Sequence, residues 1–181
     1  MWRLRHAVRL LRAGRLVAHP TEGVWGLACD PLLPEAVLRV LAAKRRDPAK
    51  GLILVTHDAA VLTPFLDAAP DQLERARADW PGPVTWVLPA APQVPWWLTG
   101  DHDSLAVRVT AHPVAAALCR AFGGPLVSTS ANLAGHAAPR HAWQARAQVG
   151  AAVDLFLAGD LDTPGRPSTI RDGRTGDVIR D

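Results

Sequence analysis

Apolar residues along the chain follow two spacings, one helical and one typical of strands. In residues 1–13, apolar side chains recur three or four positions apart with arginines on another face, which predicts an amphipathic helix. Residues 51–56 form one short apolar run, which is typical of a buried strand. By the same criteria we predict helices over 34–45, 58–66, 70–79, 112–122 and 140–148, and strands over 15–19, 83–88, 104–109, 125–128, 153–157, 168–171 and 177–180.

The order of these elements predicts the fold class. Strands and helices alternate along most of the chain, which indicates an α/β protein with helices packed against a sheet. The last strands follow one another without helices between them, so we expect some antiparallel pairing in a mixed sheet. A length of 181 residues suits one domain spanning 1–181, because a domain of this size can bury a sufficient core.

Composition excludes several classes of protein. No apolar run approaches the roughly 20 residues that span a bilayer, and the arginine-rich N-terminus does not follow the pattern of a signal peptide. Cys29 and Cys119 lie far apart and form no CxxC pair, which predicts buried, reduced thiols and no metal site. We therefore expect a cytoplasmic protein without membrane contact.

The basic residues are distributed unevenly. The formal net charge of +3 suits a polyanionic partner such as nucleotide phosphate or RNA without requiring one. Of the 20 basic residues 18 are arginine, and the two lysines, Lys44 and Lys50, both fall within residues 44–50. An ammonium is a compact, strongly hydrated charge that does not exchange freely with a guanidinium. The clustering indicates phosphate or carboxylate contacts, although cations at a helix C-terminus also complement its dipole.

The common nucleotide-binding and hydrolase motifs are absent, namely GxxxxGK[ST], GxGxxG after a strand, GxSxG and HExxH. Polar segments nevertheless follow predicted strands, where open α/β sheets place their ligands. Residues 19–27 offer Thr21 and Glu22 near two glycines. Residues 128–132 offer four hydrogen-bonding side chains, and residues 167–170 offer two hydroxyls. Each segment also has a plain structural interpretation, as a turn or an edge strand.

Six segments, taken together, resemble the YrdC/TsaC family of threonylcarbamoyl-AMP synthases. They occur in the family's order and span nearly the whole chain, and the ordered set is specific although each segment alone is weak. The segments are 19–31 (HPTEGVWGLACDP), 44–55 (KRRDPAKGLILV), 80–88 (WPGPVTWVL), 105–109 (LAVRV), 125–135 (PLVSTSANLAG) and 167–172 (PSTIRD).

The resemblance implies an open, twisted, mixed parallel and antiparallel sheet with flanking helices and a basic concave cleft. It also implies a nucleotidyltransferase that forms L-threonylcarbamoyladenylate and pyrophosphate from L-threonine, bicarbonate and ATP, with Mg²⁺ accompanying the ATP. The product would pass to a tRNA-modifying threonylcarbamoyl transferase complex that makes N6-threonylcarbamoyladenosine. The chain resembles the short bacterial form, which lacks the extra C-terminal domain of longer relatives.

The family's functional positions fall on nine residues of this chain. The KxR element corresponds to Lys44 and Arg46, and Lys50 is the lysine that follows. The resemblance implies that these three catalytic residues neutralise the triphosphate and the charge that develops during adenylation. The residues assigned to threonine or ATP binding are Thr21, Arg108, Thr129, Ser130, Asn132 and Ser168. Among these, the Arg108 guanidinium suits the two oxygens of the threonine carboxylate.

Three residues depart from the family's common pattern. His19 stands where Tyr is frequent, Trp25 where Phe or Tyr is usual, and Thr110 where Pro is common. These differences bear on the shape of the pocket wall and leave the charge layout unchanged.

Two other functions remain open on the sequence alone. One is a non-catalytic RNA-binding module in tRNA or ribosome maturation, because a basic groove binds RNA with little demand on sequence. The uncharged cluster at 128–132 argues against it, since such a groove does not need those hydroxyls. The other is a related carbamoyl-adenylate enzyme, such as the module of hydrogenase maturation, whose zinc-finger and acylphosphatase-like parts have no counterpart in this sequence. Direct contact with tRNA is compatible with the synthase as well.

Overall fold

The computed structural model describes residues 2–162, 165 and 167–180. Within them lie six α-helices and nine strands. The helices are α1 (Trp2–Arg12), α2 (Pro34–Lys44), α3 (Pro70–Asp79), α4 (Trp96–Thr99), α5 (Pro113–Phe122) and α6 (Ala142–Val149). The strands are β1 (Val17–Pro20), β2 (Trp25–Cys29), β3 (Ile53–Thr56), β4 (Val84–Pro89), β5 (Ser104–Val109), β6 (Leu126–Ser130), β7 (Leu155–Phe156), β8 (Thr169–Asp172) and β9 (Val178–Arg180). No helix of this described part is long and apolar enough to cross a membrane.

The strands form one open sheet in the order β7-β1-β2-β6-β3-β5-β4-β8-β9. Three neighbouring pairs, β1–β7, β3–β5 and β4–β8, are parallel. The remaining pairs are antiparallel, so the sheet is mixed, as the sequence indicated. Antiparallel pairing is not confined to the last strands, however. It runs through the centre of the sheet, because β6 lies between β2 and β3 and opposes both.

Helices cover the two faces of the sheet unequally. On one face α1 and α5 pack over β1, β3 and β6, where Val17, Val55 and Leu126 are almost completely buried with Leu118 of α5. Burial of each such large side chain stabilises the fold by roughly 1.5–3 kcal/mol. The opposite face carries the larger apolar core, which includes α2 and α4. Strands β5, β4 and β8 extend the face that α1 and α5 cover. Beyond α5 this face is open and forms the floor of a cleft.

Strand β5 shows how the sequence supplies both core and cleft. Its side chains alternate, as they must on a pleated strand. Leu105 and Val107 are completely buried in the larger core, whereas Ser104, Ala106 and Arg108 line the open face. One strand therefore anchors the sheet and presents polar chemistry at the same time.

Three local predictions were wrong. Residues 58–66 were expected to be α-helical, but Ala59–Phe65 is a 3-10 helix, capped by Asp58 and containing Pro64, which has no N–H to donate. Strand β2 was not predicted, because its first three residues belong to the polar-looking segment 19–27, yet all five of its residues are buried. Strand β6 also runs on to Ser130 instead of ending at 128, so the hydroxyl run belongs to the strand itself.

Candidate active-site cleft

A cleft of about 390 Å³ opens on the sheet face beside α5. This volume falls in the range of small-molecule binding sites. Seven of the nine site residues predicted from the sequence line it, and these are Thr21, Arg46, Lys50, Arg108, Thr129, Ser130 and Ser168. The two that do not are Lys44 and Asn132.

Distant parts of the chain meet at this cleft because of the strand order. Thr21 reaches the cleft from the turn between β1 and β2, and Lys50 from the short 3-10 turn Pro48–Lys50. Ser168 reaches it from the residue just before β8. The Ser168 hydroxyl lies 2.9 Å from the hydroxyl of Thr85 on β4, which fixes its position. The turn at Lys50 is itself capped by the Asp47 carboxylate, which accepts from the Ala49 N–H at 3.0 Å.

Space in the cleft depends on Gly26 of β2. Gly26 is paired with Ser130 across the two strands and lies beside Thr21. A Cβ atom at this position would come within 3.1 Å of the Thr21 methyl and 3.2 Å of the Ser128 hydroxyl. A larger residue at this position would make the Thr21 and Ser128 side chains shift by a few tenths of an ångström, so glycine favours their close approach around the cleft floor.

Positive charge dominates the cleft wall. Four cations line it, Arg46, Lys50, Arg108 and Arg180, and among the described lining residues Glu22 is the one acid, so the formal sum is four minus one, or +3. Burial lowers the pKa of Arg46, and Arg180 lowers it further. Guanidinium groups stay charged despite such shifts. An anion that enters the cleft therefore relieves the repulsion among these cations.

Arg108 and Glu22 form a buried ion pair at the inner end of this wall. The distance between Arg108 Nη2 and Glu22 Oε2 is 3.5 Å, and each side chain is 8% exposed. Burial alone would raise the pKa of Glu22, but the Arg108 charge and the Thr110 hydroxyl outweigh it and lower that pKa. Glu22 is therefore an anion in the folded protein.

Several polar atoms of the cleft lack hydrogen-bond partners. Within the described part of the chain, the buried Nε atoms of Arg46 and Arg108 and the buried Oε2 of Glu22 have none. Native proteins satisfy most buried polar groups, so a cluster of unsatisfied ones indicates a site that a ligand or water completes. Two of the three are guanidinium donors, which favours an anionic oxygen as the missing acceptor.

The Thr21 hydroxyl has a restricted role. It donates to the Val24 carbonyl at 2.6 Å and so closes the turn between β1 and β2. Its proton is thereby used, and only its lone pairs remain for a ligand. Thr21 can accept a hydrogen bond from an ammonium or hydroxyl group.

Lys44 and Asn132 are not among the residues that line the cleft, and they contact each other. The Lys44 ammonium donates to the backbone oxygen of Ser130, to the Asn132 backbone oxygen at 2.7 Å and to Asn132 Oδ1 at 3.3 Å. Asn132 Nδ2 donates to the carbonyls of Leu133 and His136 at 2.9 and 2.7 Å. Burial, and then the charge of Arg46, lower the pKa of Lys44 to about 8. These two residues tie the end of α2 to the segment after β6, and their direct contact with a substrate stays a prediction.

Sequence reasoning missed one cation of the cleft. Arg180 on β9 donates to the Ser168 carbonyl at 3.0 Å and lines the cleft beside Arg46 and Arg108. Nothing in its immediate sequence marks it. Only the antiparallel register of β9 on β8, with Arg180 opposite Ile170, brings it there.

Fold and cleft together define an open-sheet α/β protein with a basic site for a small anionic ligand. The chain belongs to the Sua5/YciO/YrdC family, whose model, described as "Telomere recombination", matches residues 9–181. This confirms the family that the six sequence segments indicated.

Relatives and solved structures agree with this membership. Proteins named threonylcarbamoyl-AMP synthase from Alkalilimnicola ehrlichii and Halorhodospira halophila are 53% and 50% identical, each over 99% of this chain and over 95% and 94% of their own length. The crystal structure of P. abyssi Sua5 complexed with L-threonine superposes with a TM-score of 0.89 at 34% identity. The match covers 94% of this chain and 51% of that one, so this chain spans about half of that Sua5.

Proposed function

We propose that this chain is a threonylcarbamoyl-AMP synthase, a nucleotidyltransferase that converts L-threonine, bicarbonate and ATP into L-threonylcarbamoyladenylate and pyrophosphate. The observation that carries the proposal is the composition of the cleft. It combines four cations with an uncharged group of hydroxyls from β6 and the segment before β8. Cations suit a triphosphate, and hydroxyls suit ribose or a carbamoyl group without adding charge. Proteins bearing this name are about half identical to the chain over almost its whole length.

The reaction needs positioning more than covalent help from the protein. The threonine amine adds to the carbon of bicarbonate and water leaves, which forms a carbamate. A carbamate oxygen then attacks the α-phosphorus of ATP, and pyrophosphate leaves with the electron pair of the broken P–O bond. Holding the reactants together supplies much of the rate gain. We assign no general base, because the nitrogen proton leaves together with the hydroxide of bicarbonate as that water molecule.

Within this mechanism the cleft residues have distinct roles. Arg46 and Lys50 neutralise the triphosphate and the charge that develops on the leaving pyrophosphate. Arg108 holds the threonine carboxylate through its guanidinium. Thr21, whose hydroxyl can only accept, receives a hydrogen bond from the amine or hydroxyl of threonine. Thr129, Ser130 and Ser168 orient ribose, phosphate or the carbamoyl end.

Mg²⁺ fits this site as an ion carried by ATP. Among the described residues no group of three or more His, Cys, Asp or Glu could hold a metal. The acid of the cleft, Glu22, is already engaged by Arg108 and Thr110. Mg²⁺ commonly keeps several waters and binds through substrate phosphates, with few protein ligands. Bound in this way it would neutralise phosphate charge, while Ser and Thr hydroxyls of the cleft contact its waters.

The product implies a partner. Threonylcarbamoyladenylate is a mixed anhydride that hydrolyses readily, so we propose transfer to a tRNA-modifying threonylcarbamoyl transferase complex in the cytoplasm. Direct contact with tRNA during this transfer is part of the same proposal. The RNA-binding module without chemistry is less favoured, because it leaves the group of uncharged hydroxyls in the cleft without a role.

Pyrophosphate release tests the proposed function. We expect release by the purified protein with ATP and Mg²⁺ to require both L-threonine and bicarbonate. Lys50→Ala should reduce it at least about tenfold, whereas Arg77→Ala, an exposed cation on α3 outside the cleft, should leave it unchanged. If ATP stays intact while the protein binds RNA, the module without chemistry becomes the better proposal.

A further inference from the structure

The Arg108–Glu22 pair continues into a third side chain. The Thr110 hydroxyl donates to Glu22 Oε1 at 2.6 Å, and the Ala111 N–H donates to the same oxygen at 3.2 Å. The Thr110 oxygen in turn accepts from the His112 N–H at 3.2 Å. Two donors thus fix one carboxylate oxygen, and the other faces Arg108.

This arrangement is costly as a purely structural feature. Over the whole residue, Thr110, Glu22 and Arg108 are 2%, 6% and 6% exposed, so both charges have lost most of their hydration. A buried ion pair often contributes little net stability, because desolvation offsets the attraction between the charges. The pair is also incomplete, since Arg108 Nε has no hydrogen-bond partner in the described residues. A role in holding Arg108 for a ligand accounts for both observations.

The Arg108 guanidinium must be correctly oriented to bind a carboxylate through two hydrogen bonds. A carboxylate is bound by two parallel N–H bonds only when the planar guanidinium faces it edge-on. Arg180 also lines the cleft, and its pKa is lowered first by burial and then by repulsion from the Arg108 charge. Without an anchored anion behind it, Arg108 would be free to turn away from Arg180. A Glu22 carboxylate held at one oxygen prevents this turn.

We propose that Thr110 and Glu22 are positioning residues, which together orient the Arg108 guanidinium for the carboxylate of an α-amino acid substrate. The inference rests on the proposed function only in that this amino acid is L-threonine. Thr110 contributes through its hydroxyl and also through its N–H, which donates to the Thr56 carbonyl at 3.0 Å. A proline at this position could provide neither bond. We call the contact of Thr110 with Glu22, which holds the carboxylate against Arg108, the brace. It is a feature of this chain's own sequence.

Thr110→Val tests the brace, because it removes the hydroxyl and keeps the shape of the side chain. We expect Thr110→Val to raise the KM for L-threonine about tenfold while the KM for ATP changes less than about twofold. Thr110→Ser restores the hydroxyl and should bring the KM for threonine back to within about threefold of the wild type. A side chain that only supports the fold would not produce this split between substrates.

Thr56→Val is the matched control. Thr56 is also completely buried, lies next to Thr110, and has a hydroxyl without a hydrogen-bond partner in the described residues. Removing that hydroxyl should leave both KM values unchanged. Glu22→Gln, which keeps an acceptor for Thr110 but removes the charge facing Arg108, should raise the KM for threonine as Thr110→Val does. It serves as the second variant if Thr110→Val does not fold.

Calorimetric titration with L-threonine separates this inference from the proposed function. If the wild type binds threonine and both Thr110→Val and Glu22→Gln weaken binding about tenfold, the brace is supported even when no pyrophosphate is released. The brace is overturned if either folded variant binds threonine with wild-type affinity. It is also overturned if Thr110→Ser does not rescue, if both KM values rise together, or if the wild type binds no threonine.

Discussion

The two lysines of the chain should give opposite results when their charge is removed. Lys44 and Lys50 lie six positions apart, and the sequence placed both in one anion-binding segment. In the structure the Lys44 ammonium is buried among three oxygen acceptors, whereas the Lys50 side chain is exposed in the cleft. Within the described part of the chain, the Lys50 side chain makes no hydrogen bond or ion pair. Replacement of each by Met keeps the length of the stem and removes the charge.

The expected loss of stability follows from the contacts of Lys44. Lys44→Met leaves two backbone oxygens and Asn132 Oδ1 without their donor, and each unsatisfied buried acceptor costs about 1–3 kcal/mol. Removal of the buried charge offsets part of this loss of stability, because burial disfavours the charged ammonium. We expect a net loss of about 2–3 kcal/mol, or a Tm lower by about 5–10 °C for a domain of this size. Lys50→Met should change stability by less than about 0.5 kcal/mol.

Urea unfolding followed by tryptophan fluorescence measures both variants. Lys44→Met should lower the unfolding midpoint without changing the slope. Lys50→Met should keep the wild-type midpoint and lose at least about tenfold in pyrophosphate release. The reasoning is refuted if Lys44→Met unfolds at the wild-type midpoint, or if Lys50→Met loses as much stability as Lys44→Met.

Three further predictions follow from the site. Arg46→Ala should lower pyrophosphate release at least about tenfold, and near-normal rates in both this variant and Lys50→Ala would remove the assigned role of the segment. Gly26→Ala should raise the KM of at least one substrate severalfold, since the new methyl needs space held by the cleft hydroxyls, and unchanged KM values would contradict this. Burial lowers the pKa of His19 from 6.5 to about 4, so the folded protein keeps the ring neutral where the unfolded chain is protonated. Its contribution to stability is therefore intact above pH 6.5 and falls by up to about 3 kcal/mol towards pH 4. His19→Asn should flatten this part of the stability profile in urea unfolding, and an unchanged slope would show that another group is responsible.

Helices and strands whose apolar residues show a clear periodic spacing could be predicted from the sequence. Helices α1 and α5 were predicted to within about two residues, because their apolar residues recur at helical spacing. Strand β2 could not be, because it shows no alternation and Gly26 interrupts the apolar run that marks a doubly buried strand such as β3. The prediction of an α-helix over 58–66 was wrong because Pro64 lies inside this segment and has no N–H to donate to a helical hydrogen bond.

Site residues could be predicted where the family resemblance assigned them. The positions of the others depend on the strand order and on packing, which the sequence does not show. Arg108, Ser130 and Ser168 meet in one cleft although they are far apart in sequence. Lys44 carries the same charge as Lys50, and only the packing of α2 against the end of β6 shows that it is engaged by backbone oxygens. Arg180 could not be found without the register of β9 on β8.

The most direct test of the proposed function is mass spectrometry of the reaction product with ¹³C-labelled bicarbonate. We expect an adenylate that contains threonine and one labelled carbonyl carbon, formed with one pyrophosphate for each adduct. The adduct should be absent when threonine is omitted, and its label should follow the bicarbonate supplied. Pyrophosphate release without a labelled adduct, or an adduct of threonine and AMP that lacks the label, would contradict the proposed reaction.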